Sequence, residues 1–219
     1  MSDTGPQKPG ALREQGAAVV RLLRQTYPQA ICTLEHAEPW QLLVAAILSA
    51  QCTDARVNLI TPALFARYPD VRAMAEADQA DVEGLIRSCG LFRTKARSII
   101  ASSREIATHY AARVPASLGE LTKLPGVGRK IANLILGDAY GVPAIVVDTH
   151  CARISNLIGL TDHTDPVRIE QDLAAVLDPA DWIDYGHLMV EHGRTLCVAR
   201  RPDCARCPLA PHCRYAARS

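Results

Sequence analysis

Nowhere does this sequence sustain the apolar–polar alternation that a half-buried strand requires, whereas apolar residues recur at helical spacing from Ala11 nearly to Thr195. The punctuation is that of helices too. Pro39 opens a helix reaching Gln51, because proline is tolerated in a first turn. Asp54 has the side chain of a cap for a helix to about Tyr68. A further helix runs from Asp78 to Cys89 and stops at Gly90, a residue suited to left-handed termination. Helices over Thr94–Tyr110 and Pro115–Leu124 follow, then one after LPGVGRK that ends at Tyr140 before Gly141 and Pro143. The last three lie near Thr149–Ile158, Asp165–Leu177 and Asp181–Thr195, ahead of an irregular tail from Cys197. About ten helices with short connections predict an all-α protein.

With 219 residues, 48% of them hydrophobic and 21% charged, the chain can bury a substantial core. A formal net charge of +1 does not announce a polyanionic partner, but the C-terminal end is locally basic. Between Gly193 and Ser219 stand Arg194, Arg200, Arg201, Arg206, Arg214 and Arg218 against the single acid Asp203. Such an end suits a phosphate backbone and equally describes a solvated surface. Only four lysines, Lys8, Lys95, Lys123 and Lys130, stand against twenty arginines. Lysine can lose its proton and act as a nucleophile, which arginine cannot.

The polar, Pro/Gly-rich residues 1–10 are expected to be disordered and do not resemble a signal peptide. The longest apolar run, Leu42–Ala50, falls far short of the ~20 residues that span a bilayer. Both point to the cytoplasm and away from membranes. There, clustered cysteines bind metal more often than they pair. Cys32, Cys52, Cys89 and Cys151 are scattered among apolar residues and are expected to be small core residues. Cys197, Cys204, Cys207 and Cys213 are different, spaced C-x6-C-x2-C-x5-C. So short a loop cannot hold two independent disulfides without crowding, yet it can wrap one metal centre, stiffened by Pro202, Pro208 and Pro211. Four thiolates suit zinc or an iron–sulfur cluster, and spacing alone does not decide between them.

In Leu124–Lys130, LPGVGRK, Pro125 and Gly126 fit the central positions of a type II turn. Gly128 would let a ligand approach the backbone before a helix starts at Arg129, whose first amides form an anion site. A plain interhelical turn is the competing reading. Lys130 falls in the first turn of that helix, where the positive dipole end disfavours an ammonium, and partial burial would add to the effect. Asp148, directly after the apolar run AIVV, reads as the N-cap of the helix from Thr149 and as a candidate catalytic acid.

Together, LPGVGRKIAN, then VDTH, then the four-cysteine spacing resemble the endonuclease III family of the helix–hairpin–helix DNA glycosylase superfamily. The resemblance extends over Leu34–Cys213 and includes ILSAQCTD and GLFRTKA, similar to the family's two DNA-probing loops. It implies a fold of two helical domains with a cleft between them: a six-helix barrel over residues 33–143 carrying the hairpin, and an iron–sulfur domain from 1–32 plus 144–219. It further implies a monomeric, nucleoid-associated bacterial enzyme of base excision repair that takes damaged double-stranded DNA. Such an enzyme excises oxidised pyrimidines through a lysine Schiff base and cuts the abasic site by β-elimination. By the same resemblance Lys130 is the nucleophile and Asp148 the acid. Gln51 fills the gap left by the flipped nucleotide, Leu91 is the wedge, and Leu124, Gly126, Val127, Gly128, Arg129 and His150 contact DNA. Cys197, Cys204, Cys207 and Cys213 hold a [4Fe–4S] cluster.

Where the family writes an arginine between Asn156 and Gly159, this chain has Leu157 and Ile158. An adenine-removing relative would place a glutamate in the helix before Gln51, and LLVAAILSAQ carries no acid. The rivals from other classes are a non-catalytic DNA-binding module with a zinc tail and a secreted disulfide protein.

Overall fold

The computed structural model describes residues Pro9 to Arg218, and every regular element among them is helical. In chain order the α-helices are α1 (Pro9–Thr26), α2 (Pro39–Leu48), α3 (Asp54–Arg67), α4 (Val71–Ala75), α5 (Gln79–Leu85) and α6 (Phe92–His109). After them come α7 (Leu118–Leu121), α8 (Arg129–Leu134), α9 (Thr149–Ile158), α10 (Pro166–Val176) and α11 (Trp182–Thr195). The all-α expectation is borne out. Of the segment expected to be disordered, residues 1–8 lie outside the described residues, whereas Pro9 and Gly10 already belong to α1.

The described residues divide into two compact units. One, Cys32–Val142, is built round α2. Trp40 and every residue from Leu42 to Leu48 are buried, so this helix is apolar on all sides, as a central helix must be. Its Trp40 indole donates to the Ser103 hydroxyl of α6 at 3.1 Å. Leu64, Met74, Ile86, Ile99, Ile106, Leu121 and Ile135 complete the interior. The second unit joins the described residues up to Ile31 to those from Pro143 onward. Val19, Val20 and Leu23 of α1 pack with Ile154 and Ile158 of α9, Ile169 and Leu173 of α10, and Tyr185, Leu188 and Met189 of α11. Its buried Tyr185 hydroxyl lies 2.8 Å from that of Ser155, so the one polar atom of that ring has a partner.

Several boundaries differ from those the sequence suggests. Thr53, not Asp54, caps α3, its hydroxyl accepting from the Arg56 amide; Asp54 instead accepts from the Thr33 hydroxyl at 2.7 Å. The left-handed residue before α6 is Leu91, φ 59°, rather than Gly90. Only Leu118–Leu121 of the segment expected to run from Pro115 to Leu124 is α-helical, with the Ser117 hydroxyl as cap. α8 likewise ends at Leu134, where the chain widens into a π-turn over Ile135–Ala139 whose Ile135, Leu136 and Gly137 are buried. That turn packs against α2. A π-turn inside a helix is uncommon and marks a place where packing overrides the regular hydrogen-bond ladder.

Candidate active site and metal centre

The hairpin in the Cys32–Val142 unit forms as its sequence dictates. The Val127 amide donates to the Leu124 carbonyl at 3.1 Å, closing a β-turn, and Gly126 takes φ 78°, the value the third position of a type II turn demands. Leu124 and Val127 are buried and anchor the turn. Gly126, Gly128, Arg129 and Lys130 are exposed. Gly128 has open space where a side chain would stand, and no side chain caps the start of α8. The turn rests on α6, since a Cβ at Gly126 would stand 2.6 Å from the Cβ of Ser98. Gly126→Ala therefore adds a backbone penalty to a steric one, and a loss of about 2 to 4 kcal/mol in unfolding free energy is expected by denaturant titration. An unchanged midpoint would show that the turn relaxes freely.

Lys130, in the first turn of α8, is exposed, so the partial burial expected of it does not occur. The lysine economy has a second explanation as well. Lys95 is buried, 4% exposed, and its Nζ donates to the Leu48 carbonyl at 2.8 Å, closing the C-terminus of α2. One of the scarce lysines is thus structural.

Gln51 and Leu91 lie on adjacent turns of the same unit: a Cβ at Gly90 would sit 3.7 Å from the Gln51 carbonyl oxygen. Both are exposed, and both hold a left-handed backbone, φ 54° and 59°. For non-glycine residues this costs about 1 kcal/mol or more each and is concentrated at ligand clamps. The strain is not unique to them, since Ala111 and Ala112 after α6 share it.

In the other unit Asp148 is the N-cap of α9, its Oδ1 accepting from the Cys151 amide at 2.8 Å. The capping role is therefore present, and the second carboxylate oxygen of the half-buried side chain has no part in that bond. His150, two residues on, packs against Gly193 of α11; a Cβ there would lie 2.2 Å from His150 Nδ1, so only glycine fits. That Nδ1 is buried and has no hydrogen-bond partner.

The four tail cysteines line one hollow, together with Ile154, Leu157 and Ile158 of α9 and Leu196 and Leu209. Each of the four residues is half-buried. Among the described residues no three His, Cys, Asp or Glu side chains stand close enough to hold a single metal ion. Arg153 reaches Cys197, one guanidinium nitrogen 3.5 Å from the sulfur and the other donating to the carbonyl at 2.7 Å. On another side His192 Nε2 lies 3.5 Å from the Cys207 sulfur while its Nδ1 is 3.0 Å from the Tyr27 hydroxyl. Burial, then the charge of Arg153, pushes His192 down to about 4, so the ring is neutral. Burial pushes the Cys197 and Cys207 thiols up, opposed at Cys197 by Arg153. The tail is stitched to α9 by the Arg214 and Tyr215 amides, which donate to the Ile158 and Leu157 carbonyls at 3.0 Å. Tyr27, Arg153 and His192 carry no motif and were not legible in the sequence.

The basic end is weaker than a count along the tail suggests. Arg206 pairs with Asp203 at 2.6 Å, and Arg214 pairs with Asp162 at 2.6 Å, an acid far outside the tail in sequence. Arg214 also donates to the Asn156 carbonyl at 3.1 Å and lies against Gly159. An arginine thus stands in space beside the segment where the sequence has Leu157 and Ile158. Arg200 and Arg201 are exposed.

Comparison with known proteins agrees with this geometry. Residues 44–179 match the family described as HhH-GPD superfamily base excision DNA repair protein. Endonuclease III of Synechocystis is 46% identical over 208 residues, 94% of this chain and 95% of that protein. Endonuclease III of Bacillus subtilis is 42% identical over 86% of each chain. Among solved structures, a trapped endonuclease III–DNA covalent intermediate superposes with a TM-score of 0.89 at 39% identity, covering 94% of this chain and 97% of that one. A thermostable thymine-DNA glycosylase shares the fold, with a TM-score of 0.84 at 20% identity. The turn at Pro125–Gly126, the helix that follows it and the cysteine-lined hollow are borne by a chain that belongs to the endonuclease III family of base excision DNA repair proteins.

Proposed function

We propose that this protein is a bifunctional DNA glycosylase and abasic-site lyase that excises oxidised pyrimidines from double-stranded DNA and cuts the resulting abasic strand by β-elimination. The observation that carries the reading is the exposed Lys130 amine in the first turn of α8, directly behind an exposed turn whose backbone can grip a phosphate. A lysine cannot reach a sugar carbon inside a duplex, so the damaged nucleotide is extruded at a cost of ~a few kcal/mol. The Gln51 amide fills the vacated stack and Leu91, 57% exposed, wedges the opposite strand. The Lys130 Nζ attacks the anomeric carbon, and Asp148 assists departure of the base and supports the positive charge that develops on the sugar. The resulting Schiff base acidifies the neighbouring sugar proton; its removal breaks the 3′ C–O bond. Backbone contacts at Leu124, Gly126, Val127 and Gly128, with Arg129 and His150, complete the DNA contacts.

The cysteine-lined hollow fits a [4Fe–4S] cluster held by Cys197, Cys204, Cys207 and Cys213. The fit rests on its donors: four thiols line one hollow, a set that suits such a cluster. Arg153 donates toward the Cys197 sulfur, as hydrogen bonds to cluster thiolates do, and His192 Nε2 lies 3.5 Å from the Cys207 sulfur. When bound, the cluster supplies a covalent cross-link that holds the tail in shape. About four irons and four labile sulfides per chain are expected on elemental analysis, falling steeply in Cys204→Ser. Stoichiometric zinc without iron would sink the assignment.

Trapping tests the activity. Borohydride should join the protein covalently to a duplex containing an oxidised pyrimidine. Tight binding without any adduct would identify a DNA-binding module instead. Among the described residues no helix is long and apolar enough to cross a membrane.

A further inference from the structure

Cys89 is buried in the core as its sequence setting suggests, but Cys52 is not, and the two are not scattered. Their sulfurs stand 3.7 Å apart although 37 positions separate them, and Cys52 is half-buried rather than buried. Each sits beside a residue proposed to probe DNA: Cys52 follows Gln51, and Cys89 lies two residues before Leu91. We propose that Cys52 and Cys89 form a reversible disulfide on exposure to a peroxide, joining the two probing turns and weakening their engagement with DNA.

Bond formation requires the sulfurs to approach from 3.7 Å to about 2.05 Å, a movement within reach of two short surface turns. The chemistry is that of any vicinal thiol pair meeting a two-electron oxidant. The Cys52 sulfur, being the more exposed, attacks one peroxide oxygen; the S–O bond forms, the O–O bond breaks, and one water leaves, giving a sulfenic acid. The Cys89 sulfur then attacks the Cys52 sulfur and displaces the hydroxyl, which departs as a second water with the Cys89 proton. Two thiols and one hydrogen peroxide thus give one disulfide and two waters. Burial pushes Cys89 up to about 11, so the more exposed Cys52 meets the oxidant and Cys89 gives up its proton only as its bond to the Cys52 sulfur forms. A small external thiol reverses the reaction by exchange.

The consequence for DNA rests on the function proposed above; formation of the bond does not. Gln51 and Leu91 each hold a left-handed backbone at the tip of a turn, and each would have to enter a different strand. A cross-link beneath them ties the two turns together and removes their independent adjustment, and misplacement of such constellations by about 1 Å is costly.

The test uses the full-length protein as isolated, treated with hydrogen peroxide and alkylated without reduction. Peptide mapping should return a Cys52–Cys89 linked peptide lighter by two hydrogens. Affinity for a duplex carrying a tetrahydrofuran abasic analogue should fall by about tenfold and return with dithiothreitol. Cys52→Ser should give no linked peptide, and its affinity should not respond to peroxide; Cys89→Ala should repeat this from the buried side. Oxidation elsewhere with no Cys52–Cys89 peptide overturns the proposal, and so does a linked peptide with unaltered affinity. If the reduced protein fails to bind the analogue at all, the proposed function fails, while the peptide map still decides the bond.

Discussion

Lys130→Ala is expected to bind a duplex carrying an abasic site within a few-fold of the unaltered protein, yet to cut it at least about a thousand times more slowly and to give no adduct with borohydride. The size of the effect follows from its kind. Removing a covalent nucleophile deletes the step itself, whereas removing one phosphate contact among many weakens binding modestly. Because Lys130 is exposed, its truncation should change stability by no more than about 0.5 kcal/mol, so a folding defect would not mimic the result. The other lysines supply controls. Lys123→Ala, also exposed, should retain cleavage. Lys95→Ala should lower the melting temperature, since it removes a buried donor from the Leu48 carbonyl at the end of α2. Strand cutting by Lys130→Ala at an undiminished rate would overturn the nucleophile assignment.

Asp148→Asn is expected to slow release of the damaged base by about a hundredfold or more while leaving affinity nearly unchanged. This substitution separates the two roles that one carboxylate holds. Asparagine caps a helix about as well as aspartate, so the bond to the Cys151 amide survives and α9 keeps its start. Only the charge is lost, and with it the support for a sugar cation. Asp148→Ala removes cap and charge together and should add a stability loss of about 1 kcal/mol. Single-turnover measurements on a duplex with one oxidised pyrimidine, run beside thermal melts of both variants, distinguish these outcomes. If Asn releases the base at the unaltered rate while Ala is slow, Asp148 is a cap and nothing more.

How far the structure could be anticipated varies element by element, and the variation has a cause. α9 and α10 fall within a residue of their expected ends, because Asp148 and Asp165 cap them through their own side chains and Gly159, φ 99°, closes α9. These are signals written within a few residues. α2 is the contrary case. Its apolar pattern continues to Ala50, but the helix ends at Leu48, where Lys95, 47 positions away, takes the carbonyl. The helix after the hairpin, whose pattern reaches Tyr140, likewise opens into a π-turn from Ile135 where it packs against α2. Among the candidate site residues, the turn at Pro125–Gly126 was legible to the level of one φ angle. The neighbours of the cysteine sulfurs, Arg153 and His192, were invisible, since nothing near either residue marks it.

The amino-acid order by itself determined the helical class, the chemistry of the turn before Lys130, the cap on α9 and the gathering of four thiols within one short tail. All of these depend on groups close along the chain, whose geometry is set by covalent connectivity and local hydrogen bonding. Tertiary structure alone decided the exposure of Lys130, the left-handed strain at Gln51 and Leu91, the pairing of Arg214 with Asp162 and the meeting of Cys52 with Cys89. Each of those depends on which distant residues pack together, and such contacts form only when burial of apolar surface outweighs the entropy of bringing the segments into place.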